Sequence, residues 1–131
     1  MSKSPEQELF DAVYSAIQEK GYTVYDYLPQ ENEQVEYPFV VVGGITTAMT
    51  ANKSAYRGKV TITIDVWGDL NNKIEVSTIG DDIFTSLARG IDTDLCSFEP
   101  RYSENSKQLM QDTSVEAQIF NRCMVQLTYS Y

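Results

Sequence analysis

The chain contains no histidine. This removes the side chain whose ordinary pKa lies nearest neutrality, and with it Ser-His-Asp catalysis, Cys-His catalysis and every imidazole-liganded zinc site. Cys96 and Cys123 stand far apart in sequence, so no Cys-x-x-Cys redox or metal pair exists. Both are expected to be reduced, buried thiols. Carboxylate chemistry is the remaining catalytic option. Asp65 and Asp69 flank Val66-Trp67-Gly68, Asp81-Asp82 fall in a helical pattern, and Asp92 and Asp94 follow it. If Asp65 and Asp69 converged they could hold a divalent metal for hydrolysis. None of these groups has calcium-loop spacing, and Gly43-Gly44 is an isolated pair rather than a phosphate loop. Solvated turn and cap residues are the simpler reading. No catalysis, metal or cofactor is expected. The aromatic set Tyr22, Tyr25, Tyr27 and Trp67 offers a different use, as the ligand surface of a cytosolic binding module, although aromatics on strands commonly pack across the sheet.

Such residues need a scaffold, and 131 residues with 42% hydrophobic content supply one core but not two. A single domain over residues 1–131 is expected. No apolar run approaches the roughly 20 residues that cross a bilayer. The segment Met1 to Glu8 has no apolar stretch after its lysine, so neither a secretory signal nor a membrane partner is expected.

Ser4-Pro5-Glu6-Gln7 is a helix start, with Ser4 as cap and Pro5 at the first helical position. Leu9, Phe10, Val13, Tyr14 and Ile17 follow at helical spacing, and Gly21 stops a helix predicted over 5–20. Residues 22–28, rich in aromatic and β-branched types, predict a short strand ended by Pro29. Phe39-Val40-Val41-Val42, apolar on both faces, predicts a central strand that Gly43-Gly44 ends or bulges. Residues 45–57 show neither period and predict a long mobile loop at about 44–58. Val60, Ile62, Ile64 and Val66 alternate with polar residues, the clearest strand in the chain. After a turn at 68–72, a second helix is predicted over 73–89, burying Val76, Ile79, Ile83, Phe84 and Leu87. Strands at 95–98 and 108–111 and a long half-buried strand through Cys123, Val125, Leu127 and Tyr129 complete the pattern. The order of elements gives an α+β, two-layer domain: a mainly antiparallel sheet with both helices on one face.

The charge is uneven. The whole chain carries −9, and residues 1–42 hold eight acids against two bases. Residues 43–60 hold Lys53, Arg57 and Lys59 and no acid. Three cations make few phosphate contacts, and an acidic protein repels nucleic acid beyond them, so specific DNA binding is not expected. One reading is a loop with ordinary solvated lysines. The other is protein contact: Lys53, Arg57 and Lys59, with Ile45, Met49 and Tyr56 for burial, reach an acidic patch of Glu31, Glu33 and Glu36 on the next identical subunit. Two different surfaces then meet, and repetition closes a ring or grows a filament.

Val24-Tyr25-Asp26-Tyr27-Leu28-Pro29, then Tyr37-Pro38-Phe39-Val40-Val41-Val42-Gly43, then Val60-Thr61-Ile62-Thr63-Ile64-Asp65-Val66-Trp67 before a helix, resemble the tail-completion proteins of long-tailed bacteriophages, also called tail-to-head joining or tail-terminator proteins. The likeness runs from about residue 5 to 90. It implies an α+β fold and a hexameric ring in the virion, made in the host cytoplasm, that ends the tail tube and joins it to the head connector. It further implies the major tail tube protein and a head-completion or stopper protein as partners, and no catalysis or cofactor. It also implies that DNA passes through the centre. Six copies at −9 each would carry −54, a lumen along which DNA slides rather than sticks. The family's inter-strand loop, here 44–58, is implied to contact neighbours or tube subunits.

Overall fold

Ser4 starts the first helix as its sequence demands: its Oγ accepts from the Gln7 amide at 3.2 Å, capping α1 (Pro5–Glu19). The computed structural model describes residues 3–30, 33–51, 56–113 and 118–131. Leu9, Val13 and Ile17 are fully buried along one stripe of α1, and Gly21 leaves it at φ 91°. A second helix, α2 (Lys73–Leu87), is entered through a 3-10 turn at Leu70–Asn72 whose first amides are capped by Asp69. Val76, Ile79, Ile83 and Leu87 form its buried stripe.

The strands are β1 (Val24–Tyr25), β2 (Phe39–Ala51), β3 (Tyr56–Gly68), β4 (Ile91–Asp92), β5 (Ser97–Pro100), β6 (Ser106–Asp112) and β7 (Phe120–Ser130). Their order in the sheet is β1-β2-β3-β7-β5-β4, and β6 pairs with the same edge of β7 further along. All pairings are antiparallel except β1 with β2. Both helices lie on one face, over Val40, Val42, Val60, Ile62, Ile64, Val66, Cys123, Val125, Leu127 and Tyr129, each at most 1% exposed. The two-layer α+β arrangement read from the sequence is the one the chain adopts. Each of these side chains contributes about 2 kcal/mol of transfer free energy when withdrawn from water. The packing is close. A Cβ built on Gly80 of α2 would sit 2.4 Å from the Cys123 sulfur, so glycine there lets helix and sheet meet. Cys96 and Cys123 are both free thiols, the second buried.

The structure departs from the sequence reading at residues 44–58. Instead of a loop, 45–51 and 56–58 continue β2 and β3 into one long hairpin, with Ile45 opposite Ile62 and Ala51 opposite Tyr56. Gly43 and Gly44 form a bulge, because Val42 pairs with Ile64 and Ile45 with Ile62, leaving one extra residue on β2. The expected strand over 22–28 shrinks to Val24–Tyr25. The strand expected at 95–98 shifts to β5, and the sequence reading lacks its partner β4, which pairs with it through Ile91 opposite Phe98.

The end of α1 is latched to α2 by three polar groups. Lys20 Nζ and Tyr22 Oη both donate to the Asp82 carboxylate, at 3.0 and 2.6 Å. The hydrogen bond from Tyr22 and then that from Lys20 hold Asp82 below its usual carboxylate range. The same carboxylate pushes the Tyr22 phenol up to about 12. Since the folded Asp82 value is depressed, the latch stabilises the fold above the unfolded value of 3.8 and is lost as pH falls through the folded one. With a partly exposed carboxylate the contribution is at most about 1 kcal/mol. Asp82→Asn is therefore expected to melt lower than wild type at pH 6, with the gap closing in thermal scans taken down to about pH 2.

Candidate functional site

Two features stand at opposite ends of the β2–β3 hairpin. One is the arm, residues 45–51 and 56–59, whose base still packs on the core. Ile45 is half-buried and packs on the core, and Thr47 Oγ1 donates to Glu6 of α1 at 2.7 Å. Farther out, Met49 is 59% exposed. Tyr56 and Arg57 are placed by strand register alone, opposite Ala51 and Thr50. Lys53 lies outside the described residues. Lys59 is spent within the subunit: with Arg101 it pairs with Glu104, and the two cations hold that carboxyl below its usual range. Gly58 lies against the Tyr131 ring, where any Cβ would collide, and Tyr131 donates its amide to the Gly58 carbonyl. This contact ends the part of the hairpin held by the core.

The other feature is an aromatic cleft at the far end, on the sheet face that the helices leave open. Tyr25 and Tyr37 both meet Phe39, with centroids 5.5 and 5.2 Å apart, and Phe120 touches Tyr37 and Trp67 at 5.9 and 6.1 Å. Register explains the convergence, since Phe39 pairs with Trp67 and Trp67 with Arg122. A cleft of about 270 Å³ opens between these rings and the connection before β2, lined also by Leu28, Val35 and Glu33. A second of about 370 Å³ adjoins it across Tyr37 and Phe120, lined by Asp69, Leu70 and Ile119. Leu28, Leu70 and Ile119 are exposed, an apolar rim rather than a core. Burial and the Asp69 charge push the Tyr37 phenol up. Tyr27 donates to Glu33 at 3.3 Å, and that charge raises Tyr27 as well.

Beneath the cleft, Arg122 Nε donates to Asp65 at 2.9 Å, its guanidinium lies 3.6 Å from Asp112, and its Cζ sits 4.8 Å over the Trp67 ring. Asp65 is thereby engaged on the open face, while Asp69 caps the turn before α2 and accepts from the Asn71 amide at 2.9 Å. The two carboxylates considered for metal hydrolysis thus serve separate structural tasks. Among the described residues, no group of three or more His, Cys, Asp or Glu is arranged to hold a metal. None of the described helices is long and apolar enough to cross a membrane.

Of the acidic patch, Glu33 is at the cleft and exposed, Glu36 is exposed nearby in sequence, and Glu31 lies outside the described residues. Of the aromatic set, Tyr25 and Trp67 join the cluster and Tyr27 stacks edge-on against Tyr25, while Tyr22 goes to Asp82 instead. Tyr37, Phe39 and Phe120 complete the cluster from outside the aromatic set that the sequence suggests. Sequence distance hides Phe120 from Trp67, and only the β3–β7 register brings them together.

The two notable surfaces of this two-layer fold are thus a projecting hairpin and an apolar cleft bordered by Glu33 and Asp69. A solved structure shares its fold. A chain from the virion of native gene transfer agent (GTA) particle superposes with a TM-score of 0.63 at 16% identity, covering 98% of this chain and 98% of that one. At that identity the likeness is one of fold. No protein-family model matches the chain, and no curated protein matches it in sequence.

Proposed function

We propose that the chain is a structural, non-enzymatic virion protein. In this reading it assembles as a ring, of six copies, at the junction of head and tail, ends the tail tube and joins it to the head connector, with DNA passing through the centre. The observation that carries the reading is the fold held in common, end to end, with a component of a virion particle. The hairpin adds to it, because its strands stay paired out to Ala51 opposite Tyr56 and present exposed Met49, a surface suited to a neighbour. The acidic balance adds more, since a −9 subunit repels rather than grips the passing duplex. The tube protein and a connector stopper are the partners this position requires.

Electron microscopy of the purified protein mixed with isolated tail tubes tests it. Rings are expected at one end of each tube, and tubes that stay bare at both ends would refute the assignment.

A further inference from the structure

We infer that the aromatic cleft is the receptor for the β2–β3 arm of a second copy of this chain. The inference rests on the ring reading above and gives each subunit both halves of the contact. Geometry forbids the contact within one subunit. The arm's end and the cleft lie at opposite ends of β3, and its 13 residues span about 40 Å at roughly 3.3 Å per residue. Only a second molecule can bring arm to cleft. Because the two surfaces differ, the contact is heterologous and leaves a further arm and cleft open, as a ring requires.

Charge selects the same occupant. From residue 21 to 52 the chain holds Asp26, Glu31, Glu33 and Glu36 and no Lys or Arg. The nearby Arg122 is answered by Asp65 and Asp112, and among the described residues no Lys or Arg pairs with Glu33 or Glu36. The arm is the reverse, with no acid from 43 to 60. Lys59 being held by Glu104, the complement falls to Lys53 and Arg57 as the sequence places them. Exposed Met49 supplies apolar area for the cleft floor. A guanidinium suits a pocket of ring faces with a carboxylate at its mouth. The fold already makes that contact once internally, where Arg122 lies over Trp67 beside Asp65.

The test places a photo-crosslinking residue at exposed Leu28 in the full chain, irradiates it on tail tubes and maps the product. Crosslinks to residues 45–59 of a second copy are expected. Glu33→Arg and Arg57→Glu are each expected to weaken assembly roughly tenfold, and the pair together to restore it. Rings whose Leu28 crosslinks fall elsewhere on the second copy, or on the tube protein, overturn this contact while leaving the ring reading intact. Absence of both rings and capping removes the ring reading and the contact with it. Single variants that assemble like wild type would also overturn the contact.

Discussion

Arg122→Met is expected to lower the stability of the fold by about 3 kcal/mol, within the range for breaking a buried ion pair from one side. Arg122 is 24% exposed, and its partners Asp65 and Asp112 are 14% exposed, so water screens the group poorly. Methionine fills much of the same volume over Trp67 but leaves both carboxylates without the guanidinium. At this size the loss corresponds to a fall in Tm of about 10 °C. Adding Asp65→Asn and Asp112→Asn removes the stranded charge, and the triple variant is expected to regain at least half of the loss. Denaturant unfolding of the three proteins, with unchanged slopes, checks it. A single variant as stable as wild type would mean that Arg122 merely decorates the open face. The consequence reaches the cleft, because the cation holds Trp67, and Trp67 supports Phe120.

The parts of the fold that bury an apolar face were legible. In α1 the Ser4 cap and the Leu9, Val13, Ile17 stripe coincide, and in β3 and β7 every second residue is withdrawn from water. The arm was illegible for the converse reason. Past Ile45 the β2 strand carries no further buried apolar side chain among the residues whose burial is described, Thr46, Ala48 and Met49 being exposed and Thr47 half-buried, so no apolar alternation marks it. Thr, Ala and Ser there read as loop, although backbone pairing from Thr46 opposite Thr61 to Ala51 opposite Tyr56 makes a strand. The Gly43-Gly44 bulge hides the pattern further by switching the parity of β2 at the very point where the core thins. Half of the cleft could be read. Tyr25 and Trp67 stand out as aromatics on strands, but the pocket also needs the β3–β7 register, a long-range pairing that no local window contains.

The largest functional effect is expected from shortening the arm. Deleting residues 50–57 and joining Met49 to Gly58 through an Asn-Gly turn keeps the last pair of the supported hairpin, since Met49 and Gly58 already face each other. The contacts that hold the core stay in place: Gly58 against Tyr131, Lys59 with Glu104, and Val60 buried opposite Thr47. Stability should therefore change by no more than about 0.5 kcal/mol, the span typical of surface substitutions away from packed features. Assembly should fall by at least about 100-fold, equivalent to roughly 2.7 kcal/mol per contact, because the arm loses Lys53, Arg57 and its reach to the neighbour's cleft. Native mass spectrometry and light scattering across a concentration series, beside a thermal melt, separate the two quantities. A shortened chain that melts normally yet still forms rings would show that the arm is dispensable. A chain that melts early would instead place residues 50–57 within the supported fold.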